Sequence, residues 1–237
     1  MVFQWHEKLE ANAVVFFILA FLAVTVGGAV LLIPPYLLAG TIEPVGGMKP
    51  YSALELEGRD LYVREGCNTC HSQQVRPFKS ETDRYGTYSR AGEGIYDRPF
   101  LWGSRRTGPD LARVGGKYPD SWHWLHFHNP REIEPRSNMP AFRFLSEREL
   151  DLSTTSRKLE VLRGLGTPYS QAEVMGAVAD ARAQNAEVVA SLRAAGISLD
   201  EAQAKSETIA LIAYLQTLGR AVKSEPPKQV RLEEEAR

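Results

Sequence analysis

Cysteine is scarce in this sequence, and neither sign of charge predominates. Only two cysteines occur among 237 residues, three positions apart, so a disulfide framework is excluded. There are 28 lysines and arginines against 29 aspartates and glutamates, and the formal net charge of −1 offers no global field for nucleic acid. No internal repeat is visible, and the length has room for one moderate domain plus an anchor or arm.

The two cysteines lie in one motif, Cys67-Asn68-Thr69-Cys70-His71. Two thiols at this spacing, followed by a histidine, form the attachment signature of a c-type haem. The thiols add across two vinyl groups of the porphyrin, and His71 becomes the proximal axial ligand of the iron through its neutral imidazole. A zinc site would need further Cys or His ligands, and a thioredoxin-like redox pair expects a βαβ context that is not visible here. The motif therefore predicts one covalently bound haem c.

A long apolar run precedes this motif. The 23 positions from Ala11 to Ile33 carry no charge, and as a helix they would extend ~35 Å, enough to cross a lipid bilayer. A cleaved signal peptide would have a shorter apolar region, of about 7–15 residues, and a small-residue cleavage site. The run ends instead at Pro34-Pro35-Tyr36. We therefore expect an uncleaved single-pass anchor.

Charge around the anchor gives little information about its orientation, because Lys8 is offset by Glu7 and Glu10. In bacteria, haem c is attached on the outer side of the inner membrane. This predicts residues 1–10 in the cytoplasm and the chain after about Leu38 in the periplasm. The predicted divisions are a cytoplasmic start and anchor helix (1–38), a linker (39–51), a mono-haem domain (52–219) and a polar, mobile tail (220–237).

The haem domain is predicted to be all-α. Ser52 and Glu55 form a capping-box pattern at the start of a helix over Ala53–Glu65. A final helix is expected over Glu207–Leu218, with Ser206 capping its start and Gly219 its end.

These two helices resemble the crossing pair of class I cytochromes c. Gly58 would permit the close approach, with Tyr62 and Tyr214 as aromatic neighbours. Between them, Gln171–Ala195 has few large apolar residues and predicts a mostly exposed helix, either a docking arm or a solvated surface helix.

The second axial ligand is expected to be Met139. It lies in the loop Ser137–Phe142, where the following proline stiffens the backbone, and it could instead be a core methionine. The other candidates are Met48, Met175, His123, His126 and His128. The three histidines belong to an aromatic run that is expected to pack against the haem edge or a partner, although a bis-histidine haem stays open.

Gly108-Pro109-Asp110-Leu111 resembles the Gly-Pro-x-Leu turn of class I cytochromes c. By that resemblance, the Pro109 carbonyl accepts a hydrogen bond from the proximal histidine and Leu111 packs on the porphyrin. The haem propionates need cations or donors nearby, for which Trp102, Arg105 and Arg106 are candidates.

Seven stretches together resemble one family, the membrane-anchored mono-haem cytochrome c subunit (subunit II) of cbb3-type cytochrome c oxidases. They are Lys49–Tyr51, Gly58–Asp60, Glu65–Phe78, Asp97–Ser104, Arg106–Gly116, Asn129–Arg131 and Ser137–Ala141. The resemblance covers nearly the whole chain and is weakest over 151–205, where only the character of the residues matches.

This resemblance implies a place in a proton-pumping oxidase. The chain would relay electrons from a di-haem cytochrome c subunit to the low-spin haem b of a catalytic haem–copper subunit, which reduces O2 to water. Trp102–Arg106 would face that catalytic subunit, and a calcium ion is possible at the interface. This chain itself would carry electrons only.

Two other function classes are open. A free-standing membrane-tethered cytochrome c shuttle would need a long flexible linker, whereas Leu37–Tyr51 is short. A haem gas sensor would need an open sixth position, which Met139 argues against. A multi-haem reductase is disfavoured, because only one Cys-x-x-Cys-His motif is present.

Overall fold

The computed structural model of the protein describes residues 2–37, 42 and 44–224. The chain divides into two compact units, Met1–Glu43 and Pro44–Arg237. The described residues contain helices, turns and one isolated β-bridge, between Glu149 and Ser206, but no strand. The all-α prediction is therefore confirmed for the described part of the chain.

The described α-helices are numbered in chain order. They are α1 (Val2–Ala11), α2 (Ala13–Leu37), α3 (Ala53–Arg64), α4 (Cys67–Cys70), α5 (Lys79–Tyr85), α6 (Asp120–His128), α7 (Pro130–Ile133), α8 (Thr155–Gly164), α9 (Gln171–Ala194), α10 (Glu207–Thr217) and α11 (Arg220–Ser224). Short 3₁₀ turns occupy Ala91–Gly94, Arg143–Ser146 and Gln203–Lys205.

The first unit contains α1 and α2. Asn12 separates them, and its side-chain oxygen accepts a hydrogen bond from the backbone N–H of Val15, 3.2 Å away, at the start of α2. Within α2, Ala13–Pro34 has a mean hydropathy of 2.7 and is long and apolar enough to cross a membrane. Its large apolar side chains are exposed, as a lipid-facing helix requires. The predicted anchor thus has a helix of suitable length and composition.

The second unit is organised around the crossing of α3 and α10. Gly58 permits this crossing, because a Cβ atom at that position would lie 1.9 Å from the backbone oxygen of Ala210. Tyr62 and Tyr214 are fully buried beside it, with ring centroids 5.5 Å apart. The predicted helix pair and its glycine contact are both confirmed.

The predicted helix caps have different outcomes. At α3, Ser52 Oγ accepts from the Glu55 N–H at 3.3 Å, and Glu55 accepts from the Ser52 N–H at 2.7 Å, so the capping box is confirmed. At α10, Ser206 occupies the N-cap position, but its hydroxyl donates to the Gln203 carbonyl and makes no cap bond. The preceding 3₁₀ turn brings that carbonyl within reach and competes for the hydroxyl. Gly219 follows α10 with a φ of +81°, as expected of a terminating glycine.

Helix α9 is exposed over most of its surface, as predicted, but one stripe of it is packed. Val174, Ala177 and Ala181 are buried at helical spacing, and Val189 and Leu192 continue the stripe. Small alanines let the helix lie close against α3, α8 and α10. The helix is therefore part of the folded unit along this stripe.

The predicted linker and tail lie only partly within the described residues. Residues 38–41 and 43 lie outside them, whereas 44–50 have no regular structure apart from a turn at Gly46–Gly47. Residues 220–224 of the predicted tail form α11, and 225–237 lie outside the described part of the chain.

Candidate haem-binding site

The two cysteines lie on the single turn of α4. Gly66, with a φ of +69°, reverses the chain at the end of α3 and leads directly into Cys67. Both thiols are free, with Cys67 partly buried against the core and Cys70 exposed. Burial, and secondarily the charge of Glu65, raises the pKa of the Cys67 thiol to about 12. A redox-active cysteine has a lowered pKa, so this environment disfavours a dithiol catalyst.

His71 follows α4 in an extended conformation, and its imidazole meets the turn predicted to hold it. Nδ1 of His71 lies 2.8 Å from the Pro109 carbonyl oxygen. A carbonyl oxygen only accepts hydrogen bonds, so Nδ1 carries the proton and Nε2 of the neutral ring keeps its lone pair. This is the tautomer that can bind iron through Nε2.

Gly108 makes room for the His71 ring. A Cβ atom at Gly108 would lie 2.2 Å from Cε1 of the imidazole, so only glycine fits there. Two backbone hydrogen bonds join the segments on either side, from Gly108 N–H to the Cys70 carbonyl at 3.0 Å and from Leu111 N–H to the Ser72 carbonyl at 2.8 Å. The motif and the Gly-Pro-x-Leu turn therefore form one hydrogen-bonded element.

Met139 lies in the irregular loop after α7, where its backbone N–H donates to Ser137 Oγ at 3.2 Å. The loop is tied back to α6 by a hydrogen bond from Phe142 N–H to the Phe127 carbonyl at 2.8 Å. The side chain of Met139 is partly buried against the same hydrophobic core that Cys67 and Leu111 contact. The fold thus gathers three of the predicted haem contacts around one core, and the ligand role of Met139 stays a prediction.

Comparison with known families agrees with this geometry. The sequence profile of the family described as cytochrome c oxidase, mono-heme subunit/FixO matches residues 6–222. The chain belongs to the FixO family. A search of curated protein sequences found no match to it.

Membership of the FixO family makes this chain a cytochrome c oxidase subunit with one haem. The residues around His71 fit such a group. Pro109 orients the ring, Gly108 leaves space for it, and the buried Nδ1 of His126 has no hydrogen-bond partner among the described residues. Burial lowers the pKa of the His126 imidazole, and His71 contributes a smaller effect in the same direction.

The aromatic run of this FixO chain forms α6, and one face of that helix enters the protein core. His123, Trp124 and Phe127 are buried there, so these side chains pack against protein. Burial lowers the pKa of His123 to about 4 and keeps its imidazole neutral at pH 7. Trp122 instead stacks on His126, with ring centroids 4.5 Å apart.

The three candidate propionate partners differ in their surroundings. The Arg106 guanidinium is already engaged by protein acceptors, Ser72, Gln74 and Glu81. Arg105 is exposed, and Trp102 stacks on Phe100 at 4.8 Å with 37% of its surface exposed. The structure therefore places Arg106 in an internal network, and only Arg105 and Trp102 lie at the surface.

Sequence reasoning missed the acidic members of this network, Asp110 and Glu81. Asp110 stands at the variable position of the Gly-Pro-x-Leu turn, and its carboxylate is fully buried. The signal in the sequence is its position directly after Pro109, in the turn that meets His71. No group of three or more His, Cys, Asp or Glu side chains in the described ranges could hold a metal ion, so the calcium ion rests on the family resemblance alone.

Proposed function

We propose that this chain binds one haem c through Cys67 and Cys70, with His71 and Met139 as its axial ligands, and carries electrons within the oxidase. The observation that carries the proposal is the 2.8 Å contact between His71 Nδ1 and the Pro109 carbonyl oxygen. It leaves Nε2 with a free lone pair beside two unpaired thiols at the spacing of a haem-attachment motif.

The bound haem supplies a one-electron carrier, and the protein supplies its ligand field and surroundings. Pro109 holds His71 in one tautomer and at one ring angle, and the hydrogen bond makes the imidazole more electron-donating. Leu111 and the core beside Cys67 form an apolar lining that excludes water. Met139 supplies a thioether, a weak ligand that raises the reduction potential.

We further propose that electrons enter from a di-haem cytochrome c subunit and leave to the low-spin haem b of the catalytic subunit that reduces O2. The segment Trp102–Arg106 faces the catalytic subunit. Its support is an exposed, stacked aromatic pair, Phe100 and Trp102, next to Arg105, since aromatic and arginine side chains are enriched at protein interfaces. The Trp102 carbonyl accepts from the Gln73 N–H at 2.8 Å, which links this surface to the segment that carries His71.

The proposed topology is single-pass, with residues 1–38 forming a cytoplasmic start and an anchor in the bacterial inner membrane. The linker 39–51 then leads to the haem domain 52–219 in the periplasm, followed by the tail 220–237. The length and hydropathy of Ala13–Pro34 support the anchor. The calcium ion at the subunit interface remains part of this proposal only through the family resemblance.

Purification of the tagged full-length chain from its own host in mild detergent tests the proposal. We expect haem b and copper to co-purify with one haem c per chain, and we expect the preparation to consume oxygen. A chain that carries haem c but has neither haem b nor oxidase activity would favour the free tethered shuttle, provided that chemical cross-linking before solubilisation also captures no partner. A chain without covalent haem would refute the assignment of the motif.

A further inference from the structure

A buried carboxylate lies between the two segments that hold His71. Asp110 has a fully buried side chain, and its Oδ2 accepts hydrogen bonds from Ser72 Oγ at 2.6 Å and from the Gln74 N–H at 2.9 Å. Its Oδ1 accepts from the Ala112 N–H at 2.9 Å, and the Arg106 guanidinium lies 3.4 Å from Oδ2. The carboxylate thus joins the chain after His71 to the turn that contains Pro109.

Arg106 links the same two segments to Glu81 through further hydrogen bonds. Its Nε donates to Ser72 Oγ at 2.6 Å, and its terminal nitrogens donate to the Gln74 carbonyl at 2.7 Å and to both carboxylate oxygens of Glu81 at 2.7 and 2.8 Å. The hydrogen bond from Arg106, together with those from Arg76, lowers the pKa of Glu81 to about 2. Ser72 is the shared member, since it donates to Asp110 and accepts from Arg106.

We propose that Asp110, acting with Ser72 and Arg106, is a positioning residue that fixes the angle of the His71 imidazole relative to the haem iron. Ser72 directly follows His71 in the chain, and Asp110 directly follows Pro109. The carboxylate therefore bridges the immediate neighbours of both partners in the His71–Pro109 hydrogen bond. This inference rests on the proposed role of His71 as the proximal ligand.

The donor pattern explains why the position holds a carboxylate. Four donors converge on Asp110, and a carboxylate accepts all of them because it has two oxygens and no proton to give. Asparagine has one oxygen and one NH2 group, so its NH2 group would face at least one of these donors and could not accept its hydrogen bond. An apolar residue would leave the Gln74 and Ala112 N–H groups buried without partners.

Two variants separate positioning from charge. Asp110→Asn preserves shape but removes both the negative charge and part of the acceptor set. Ser72→Ala removes the shared hydroxyl without changing any charge. If the network orients His71, both changes weaken the Pro109 hydrogen bond, the imidazole donates less electron density to the iron, and the haem potential rises. Asp151→Asn is the matched control, because this exposed carboxylate also accepts a backbone N–H, that of Ser153 at 2.8 Å.

The experiment measures the midpoint potential of haem c by redox titration in the full-length chain, purified in detergent with its co-purifying subunits. Covalent haem per chain and the thermal unfolding midpoint are measured on the same samples. We expect full haem content in all variants, a raised potential in Asp110→Asn and Ser72→Ala, and no change in Asp151→Asn. Visible and near-infrared absorption then reports whether the sulfur–iron band has changed.

An unchanged potential in Ser72→Ala would overturn the inference, even if unfolding occurred at a lower temperature, because a purely structural role would change stability alone. If the Asp110→Asn protein does not accumulate in the cell, the haem potential of the Ser72→Ala protein alone tests the inference by the same criterion. A wild-type chain without covalent haem would instead refute the proposed function, so the two failures are distinguishable.

Discussion

The contact between α3 and α10 gives the sharpest prediction about stability. In Gly58→Ala, the new methyl group would begin 1.9 Å from the Ala210 carbonyl oxygen and 2.6 Å from its carbon. These are backbone atoms of the buried helix α10, so no side-chain rotation can relieve the overlap. The two helices must separate, and the core around Tyr62 and Tyr214 loses contact.

The magnitude follows from two opposing effects. Overpacking a close-packed interface costs up to ~3 kcal/mol, and a backbone obstacle places this site at the upper end. Replacing glycine by alanine inside a helix stabilises the folded state by roughly 0.5–1 kcal/mol, which offsets part of this cost. The net loss is about 2 kcal/mol, which lowers the melting temperature of a unit of this size by about 4–8 °C.

The assay is thermal unfolding of the haem-loaded chain in detergent, followed by circular dichroism. Gly164→Ala is the matched control, because Gly164 ends α8 and an added Cβ there meets nothing within 4 Å. We expect Gly164→Ala to melt at or slightly above the wild-type temperature. A Gly58→Ala protein that melts with the wild type would refute the reasoning, since it would mean that the helices cross without close backbone contact.

Three further predictions concern the axial ligand, a buried ion pair and pH. Met139→Leu should retain covalent haem but lower the haem potential, as measured by redox titration, because a thioether ligand is lost. Arg59→Leu should cost ~3–5 kcal/mol in chemical unfolding, because it leaves Asp97 buried without the guanidinium 3.0 Å away. His123 stays neutral in the folded protein, with its pKa lowered to about 4, whereas the unfolded chain takes up a proton near ~6.5. Stability should therefore fall as pH decreases from 6.5 to 4, by up to about 1.4 kcal/mol per pH unit, and His123→Phe should flatten this dependence.

A specific measurement would contradict each of these three predictions. An unchanged spectrum and potential in Met139→Leu would remove that residue from the iron. The double variant Arg59→Leu/Asp97→Leu is the control for the ion pair, and it should be more stable than Arg59→Leu alone. If His123→Phe and the wild type lose stability in parallel on acidification, the imidazole is not the titrating group.

The sequence predictions had two different sources. The capping box at Ser52 depends on two residues three positions apart. The Gly58 contact and the Pro109 turn were expected from the resemblance to class I cytochromes c, because their partners, Ala210 and His71, lie far from them in the chain. The hydrophobic pattern predicted α3 and α10 to within one or two residues. These two helices could be found from the sequence because their signals are short-range.

The unpredicted features depend on contacts that spacing does not encode. Arg106 was one of three candidates for a propionate partner, yet its partners Ser72 and Glu81 are 34 and 25 positions away and meet it only through the folded turn. The buried stripe of α9 escaped notice because alanine is weakly hydrophobic, so packing by close approach leaves little trace in hydropathy. Ser206 failed as a cap because a neighbouring carbonyl competed for its hydroxyl.

The Gly58–Ala210 contact also bears on the order of events during synthesis. The packing partner of the helix that leads into Cys67–His71 lies about 150 residues later in the chain. At ribosomal rates, that partner is made roughly 8–30 s after Gly58. Throughout this interval α3 lacks the helix whose backbone it meets at Gly58, although α8 and α9, which also pack on it, are made earlier. The crossing of α3 and α10 therefore cannot form until nearly all of the described second unit has been made.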